Sequence, residues 1–179
     1  MHRNKLLNLL TAYKPYDKEE IEFKKRMIDF INRYPNCFER SLSIGHITAS
    51  AWLLNNAGSH ALLMHHTKLN KWFQLGGHCD GNPDVLAVAL KEAQEESGIN
   101  AIELVSTDIF DIDIHLIPAN SGEAEHYHYD IRFLLRVVSD EKVVQNNESK
   151  ELRWIDKNPD SMPTTHSSVA RMFYKWLAL

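Results

Sequence analysis

Three glutamates, Glu92, Glu95 and Glu96, stand at positions i, i+3 and i+4 behind a pair of glycines, Gly76 and Gly77. On an α-helix that spacing puts the three side chains on one face. Like charges this close repel, and each raises the pKa of the others, so the group calls for a cation. Lys91 and Lys68 supply single charges. A hard divalent ion with oxygen ligands, Mg²⁺ or Mn²⁺, is better matched to three carboxylates. Glycines ahead of the helix would form a loop whose backbone can approach phosphate oxygens closely. Loop, helix and carboxylates in that order suit a metal ion holding a phosphate-containing ligand. The competing reading is a solvated acidic helix face.

The helix itself has legible ends. Asn82 is a good N-cap, Pro83 suits the first helical position, and Asp84 suits the positive end of the dipole. Gly98 is the expected stop. Leu86, Ala89, Leu90, Ala93 and Ser97 recur at helical spacing and are expected to form the face that packs on the rest of the protein.

The run from Gly77 to Ile99 resembles the signature of the Nudix hydrolases. That signature is Gly, five residues, Glu, seven residues, then Arg-Glu-apolar-x-Glu-Glu-x-Gly-apolar. Gly77 fills the first position, and Lys91, Glu92, Ala93, Gln94, Glu95, Glu96, Ser97, Gly98 and Ile99 fill the last nine, without gaps. Two positions depart. Pro83 stands at the first Glu, with Asp84 one residue late, and Lys91 stands at the Arg. Lysine is a point charge and cannot make the planar two-bond pair of Arg with a carboxylate.

The resemblance implies an α/β (α+β sandwich) architecture: a Nudix fold with a mixed sheet between helices over residues 41–179, preceded by a helical extension at 1–40. It implies a hydrolase that cleaves a diphosphate linkage in a nucleoside diphosphate linked to another moiety. Glu92, Glu95 and Glu96 would hold Mg²⁺ or Mn²⁺, Glu92, Glu95 and Lys91 would serve catalysis, and Gly76 and Gly77 would contact the substrate. In this family a further acid outside the motif often completes the metal site or acts as base, and Glu148 is the first candidate. Two alternatives share the fold. One is a non-catalytic nucleotide-binding sensor. The other is an enzyme like the isopentenyl-diphosphate isomerases, which pair a Cys with a metal-bound Glu; here Cys79 lies in the wrong order for that motif.

Outside the motif, Asp111, Asp113 and His115 alternate, as do His126, His128 and Asp130, followed by Arg132. As strands, each set points to one sheet face. Two such rows side by side could line a pocket, and His126 and His128 are expected to touch the substrate beyond its diphosphate. The rows could instead hold a His-ligated metal, or form a solvated face. Trp72, Phe73 and Trp154 are expected in the core.

The remaining elements follow from periodicity. Residues 18–33 read as an amphipathic helix with Ile21, Met27, Ile28 and Ile31 on its apolar stripe, ended by Pro35. Strands are expected at 46–54, 60–65, 101–116, 127–138 and 150–155, with a closing helix at 172–179. The chain has 179 residues and a formal net charge of −4, with no cluster of Lys and Arg, which disfavours duplex nucleic acid as a partner. Cys37 and Cys79 are far apart and form no CxxC, which fits a reducing compartment. No apolar run is long enough to span a membrane, and Asn8 interrupts the leucines of the first residues, so the cytoplasm is expected. A small-molecule substrate is the expected partner, and homodimerisation is left open.

Overall fold

The structure is a computed structural model that describes residues 2–119, 122 and 124–179. Helix α1 (Asn4–Ala12) and helix α2 (Lys18–Arg33) precede strand β1 (Gly45–Leu54). Strands β2 (His60–His66), β3 (Trp72–Phe73) and β4 (Leu75–His78) lead to helix α3 (Val85–Ser97). Strands β5 (Ile102–Leu104), β6 (Asp111–Ile117), β7 (His126–Val137) and β8 (Ser149–Asp156) follow, and helix α4 (Ser167–Leu177) closes the chain. Among the described residues the strands form one eight-stranded sheet whose central path is β3-β2-β1-β7-β5, with β4 on β1, β6 on β7 and β8 on β2. β1 and β7 run parallel, and the other pairs are antiparallel. This is the mixed sheet with helices expected from the sequence.

β1 is the organising strand, because every one of its residues is buried. Ile47, Ala49, Ala51 and Leu53 face one core, which also takes Ile131 and Phe133 of β7 and Ala89 and Ala93 of α3. Trp52 and Leu54 face a second core closed by Val169, Met172, Phe173 and Trp176 of α4. Leu6 and Leu10 of α1 and Phe23, Met27, Phe30 and Ile31 of α2 belong to the first core. Among the described residues no helix is long and apolar enough to cross a membrane.

Several expectations are corrected. Gly76 and Gly77 are not a loop but the middle of β4, paired with Ser50 and Ala49 of β1. The run 101–116 is two strands, β5 and β6, both laid on β7 at successive positions. Ile21 is 54% exposed, and Glu20 takes its place on the buried side of α2. Glu20 is tolerated there because Tyr13 donates to its carboxylate at 2.8 Å, the Tyr16 amide does so at 2.6 Å, and Lys175 pairs with it. Asp84, not Asn82, caps α3, its side chain accepting the Ala87 amide at 3.3 Å, so Pro83 lies outside the helix. Val85 and Val88 take the buried positions expected of Leu86 and Leu90, which are only partly buried.

Candidate functional site

The three glutamates of α3 are inequivalent. The helix ends at Gly98, whose φ of 72° is the left-handed conformation glycine tolerates, and this fixes the last turn against the sheet. Glu96 is buried and its Oε2 accepts the Gly76 amide at 2.7 Å. Burial, with the charges of Glu92, Glu148 and Glu95 nearby, raises its pKa to about 8. Glu92 is half-buried, and burial raises its pKa as well. Glu95 is 57% exposed at its side chain, against 18% for Glu92. The Lys91 ammonium lies between these two, 3.2 Å from Glu92 Oε1 and 2.8 Å from Glu95 Oε2. It bridges the pair with single bonds, as expected of lysine in place of arginine. Glu148 lies in the turn before β8, close enough to push up both Glu92 and Glu96.

This set fits a hard divalent cation. The donors are all carboxylate oxygens, they are held at the end of one helix, and burial raises the proton affinity of Glu92 and Glu96, a cost that a bound cation would offset. In the conformation described, with Lys91 between Glu92 and Glu95, the glutamate oxygens do not all converge within 4.8 Å.

Close approach requires glycine at 76, and at 77 it leaves room for the Glu92 carboxylate. A Cβ on Gly76 would lie 2.7 Å from the Ala49 carbonyl oxygen and 2.5 Å from the Ser50 Cβ, a clash with a paired strand. A Cβ on Gly77 would lie 2.6 Å from Glu92 Oε2. That neighbour is the tip of a side chain and can move. Gly77→Ala is therefore expected to fold with a melting temperature near that of the native protein while displacing Glu92, so that turnover falls; Gly76→Ala should lose stability instead. Thermal melts and initial rates on the two variants check this division.

Gly77 and His78 are successive strand residues and so face opposite sides of the sheet. The side away from Glu92 carries the polar rows expected from the sequence. Asp111 pairs with Arg132, Asp113 with Asp130 and His115 with His128, so the rows do lie side by side. β1 adds a third row, with His46, Thr48 and Ser50 opposite His128, Asp130 and Arg132. Most of this face is interior rather than solvated: Asp111, Asp130 and Arg132 are at most 2% exposed. Asp130 accepts from Ser50, Thr48 and Arg132 at 2.6, 2.9 and 2.7 Å. Arg171 and Lys175 of α4 reach Asp111 at 2.9 and 2.8 Å, and Arg171 also reaches Asp113 at 3.0 Å. Burial would raise the Asp113 carboxyl, but Arg132, His115 and Arg171 hold it well below the carboxylate range.

The other end of the face is a cluster of imidazoles. His128 has ring centroids of His46, His78, His126 and His115 at 4.9, 5.0, 5.1 and 5.4 Å. Burial, with those four neighbours, lowers its pKa to about 2, so it is a neutral imidazole. His126 Nε2 is 3.3 Å from His128 Nε2. His46 and His78 were not among the sequence candidates. Their signal lies in pairing: only the placement of β4 and β7 on β1 brings residues 46, 78 and 128 together.

The aromatic expectations divide. Trp154 packs against the first core and Trp72 against the second, as expected; Trp72 also stacks on His65 at 4.9 Å, with the Arg153 guanidinium 4.6 Å from its ring centre. Phe73 meets the edge of His166 at 6.0 Å. Cys79 is buried, and burial with the charge of Asp130 pushes its thiol well above the usual range, so it is no source of thiolate.

The model of the NUDIX domain family matches residues 45–177, which is most of the chain. No curated protein matches it at a significant level. Among solved structures, an Ap4A hydrolase of C. elegans in a binary complex is similar at 18% identity with a TM-score of 0.59, covering 74% of this chain and 95% of that one. The dihydroneopterin triphosphate pyrophosphohydrolase of E. coli is similar at 14% identity with a TM-score of 0.56, covering 74% and 94%. A NUDIX-family hydrolase from Clostridium perfringens is similar at 23% identity with a TM-score of 0.54, covering 73% and 95%. These likenesses speak to the fold, and the family model speaks to descent. With the motif seated on α3 and β4 as described, the chain belongs to the Nudix family.

Proposed function

We propose that this chain is a Nudix pyrophosphohydrolase that cleaves a diphosphate linkage in a nucleoside diphosphate linked to another moiety. The observation that carries the reading is the buried Glu96, tied to the Gly76 amide, with Glu92 packed over Gly77. Glu92, Glu95 and Glu96 would hold Mg²⁺ or Mn²⁺, with Glu148 the candidate for a further ligand or the base. Bound there, the ion would offset the charge of the diphosphate and acidify a water.

The chain's own groups do the rest. The Gly76–Gly77 backbone lets phosphate oxygens approach without a side chain in the way. The Gly76 amide orients Glu96, and Lys91 holds Glu92 and Glu95 toward each other. A carboxylate, Glu92 or Glu148, accepts a proton from water as its oxygen bonds to phosphorus, and the anhydride P–O bond breaks to release the second phosphate-bearing product. His126 and His128, the sequence candidates for contacts beyond the diphosphate, lie on the sheet face away from Glu92 and so stand apart from the diphosphate site proposed here. Residues 1–40 are assigned as an extension to a Nudix domain at 41–179, and the cytoplasm as its compartment.

Lys91→Ala is expected to lower kcat by about 10- to 100-fold, the usual cost of losing a group that orients a metal ligand, and Glu92→Gln should lower it further. A Lys91 variant more impaired than Glu92→Gln would reverse these roles. The function itself is tested by assaying phosphate or nucleotide release from nucleoside triphosphates, dinucleotides, ADP-ribose and coenzyme A with Mg²⁺, with Mn²⁺ and with chelator. Metal-dependent release is expected. Tight binding without release would favour the sensor, which the Pro83 and Lys91 departures keep open; double-bond migration in isopentenyl diphosphate, assayed alongside, would favour the isomerase, against which the buried Cys79 stands.

A further inference from the structure

We infer that His46, His78 and His128 form a binding site for a borderline transition-metal ion of the Zn²⁺ class, on the sheet face opposite the glutamates. One nitrogen from each of the three rings lies within 4.8 Å of the others. In a tetrahedral zinc site with bonds of ~2.0–2.1 Å, ligand nitrogens are roughly 3.3–3.4 Å apart. The observed limit of 4.8 Å is within about 1.5 Å of that spacing.

The backbone that holds the rings is rigid. His46 and His128 are direct partners across the parallel β1–β7 pair, and His78 comes from β4, paired on the other edge of β1 at the neighbouring position, Thr48. Three adjacent strands therefore aim three imidazoles at one point, without a loop among them. His46 is almost fully buried and forms the floor, while His78 and His128 are part-exposed and leave a way in.

A second layer is present. His126 places its Nδ1 2.8 Å from the Ala124 carbonyl, which turns its Nε2 toward His128, 3.3 Å away. A ring oriented by a carbonyl in this way is the usual arrangement of a metal-binding histidine, so His126 is the nearest source of a fourth ligand. His115, set by Asp113 at 3.0 Å, backs His128 from the next strand.

An all-nitrogen donor set selects against Mg²⁺ and for Zn²⁺, Co²⁺, Ni²⁺ or Cu²⁺. The two faces of β4 thus serve two ion classes: oxygen donors beyond Gly77, nitrogen donors beyond His78. The assignment does not rest on the diphosphate reading.

The test uses the full chain without a polyhistidine tag, stripped with chelator and titrated with Co²⁺ while visible absorption is recorded. The expected result is one equivalent bound at micromolar or tighter affinity, with the intense d–d bands of a low-coordinate nitrogen site, displaced by one equivalent of Zn²⁺ and not by millimolar Mg²⁺. His78→Gln and His128→Gln, both at part-exposed positions and checked for fold by circular dichroism, should each lose the bands. Glu92→Gln and Glu96→Gln should keep them. Absence of stoichiometric Co²⁺ binding by the folded native chain, bands that persist in both histidine variants, or bands lost in the glutamate variants would each overturn the site.

Discussion

Glu96→Gln is expected to lower kcat by roughly 10²-fold or more, at saturating Mg²⁺ and with the fold intact. The magnitude follows from the several kcal/mol of charge stabilisation that a bound divalent ion supplies, at ~1.4 kcal/mol per tenfold in rate. Glutamine keeps the length and helix propensity of glutamate, and its carbonyl oxygen can still accept the Gly76 amide. What it lacks is the charge. Because Glu96 is buried among other carboxylates, removing that charge should leave the melting temperature unchanged or raise it. Activity and stability thus move independently, which separates a ligand from a structural acid. Glu95→Gln is expected to follow the same direction. Near-native rates for both variants, with saturating Mg²⁺, would remove the metal assignment.

The largest stability effect is expected on the other side of the sheet. Asp111 is fully buried and receives Arg132 at 3.0 Å, Arg171 at 2.9 Å and Lys175 at 2.8 Å. Asp111→Asn leaves the shape but withdraws the one charge that those three cations share. Removing one member of a buried ion network costs up to about 3–5 kcal/mol; its partners here lose part of their compensation, while Arg132 keeps Asp130, Arg171 keeps Asp113 and Lys175 keeps Glu20. For a chain of this size, each kcal/mol moves the melting temperature by ~2–4 °C, so a fall of up to roughly 6–20 °C is expected in calorimetry. The network ties β6, β7 and α4 together, and through Glu20 it ties α2 to them. A fall of a degree or less would mean that the cations find water when Asp111 is neutral.

The sequence was most legible where a local rule acts alone. Helix α2 falls at 18–33 as its periodicity predicts, and Asp17 caps it. Gly98 ends α3 because a left-handed residue must stand there. The glutamates are brought to one end of one helix as their spacing requires. The errors came where the sheet decides. Two glycines read locally as a loop, but β1 supplies a paired partner and the glycines give clearance from Ser50 and Glu92. Ile21 suits an apolar stripe on pattern, yet Glu20 is buried because Tyr13, in the preceding turn of chain, and Lys175, distant in sequence, satisfy it. The alternating Asp and His rows were correctly placed on one face, but not their depth, since burial of Asp111 depends on α4 folding over it. His46 and His78 carry no local pattern at all. They become candidates only when β4 and β7 are laid on either side of β1.

The most direct measurement is hydrolysis of the best substrate in ¹⁸O-labelled water with Mg²⁺, followed by mass analysis of both products. Attack of water on phosphorus predicts one ¹⁸O atom in one phosphate-bearing product and none in the other, with the label lost alongside turnover in Glu96→Gln. Turnover without label in either phosphate, or product formed at the native rate by Glu96→Gln, would contradict the proposed chemistry.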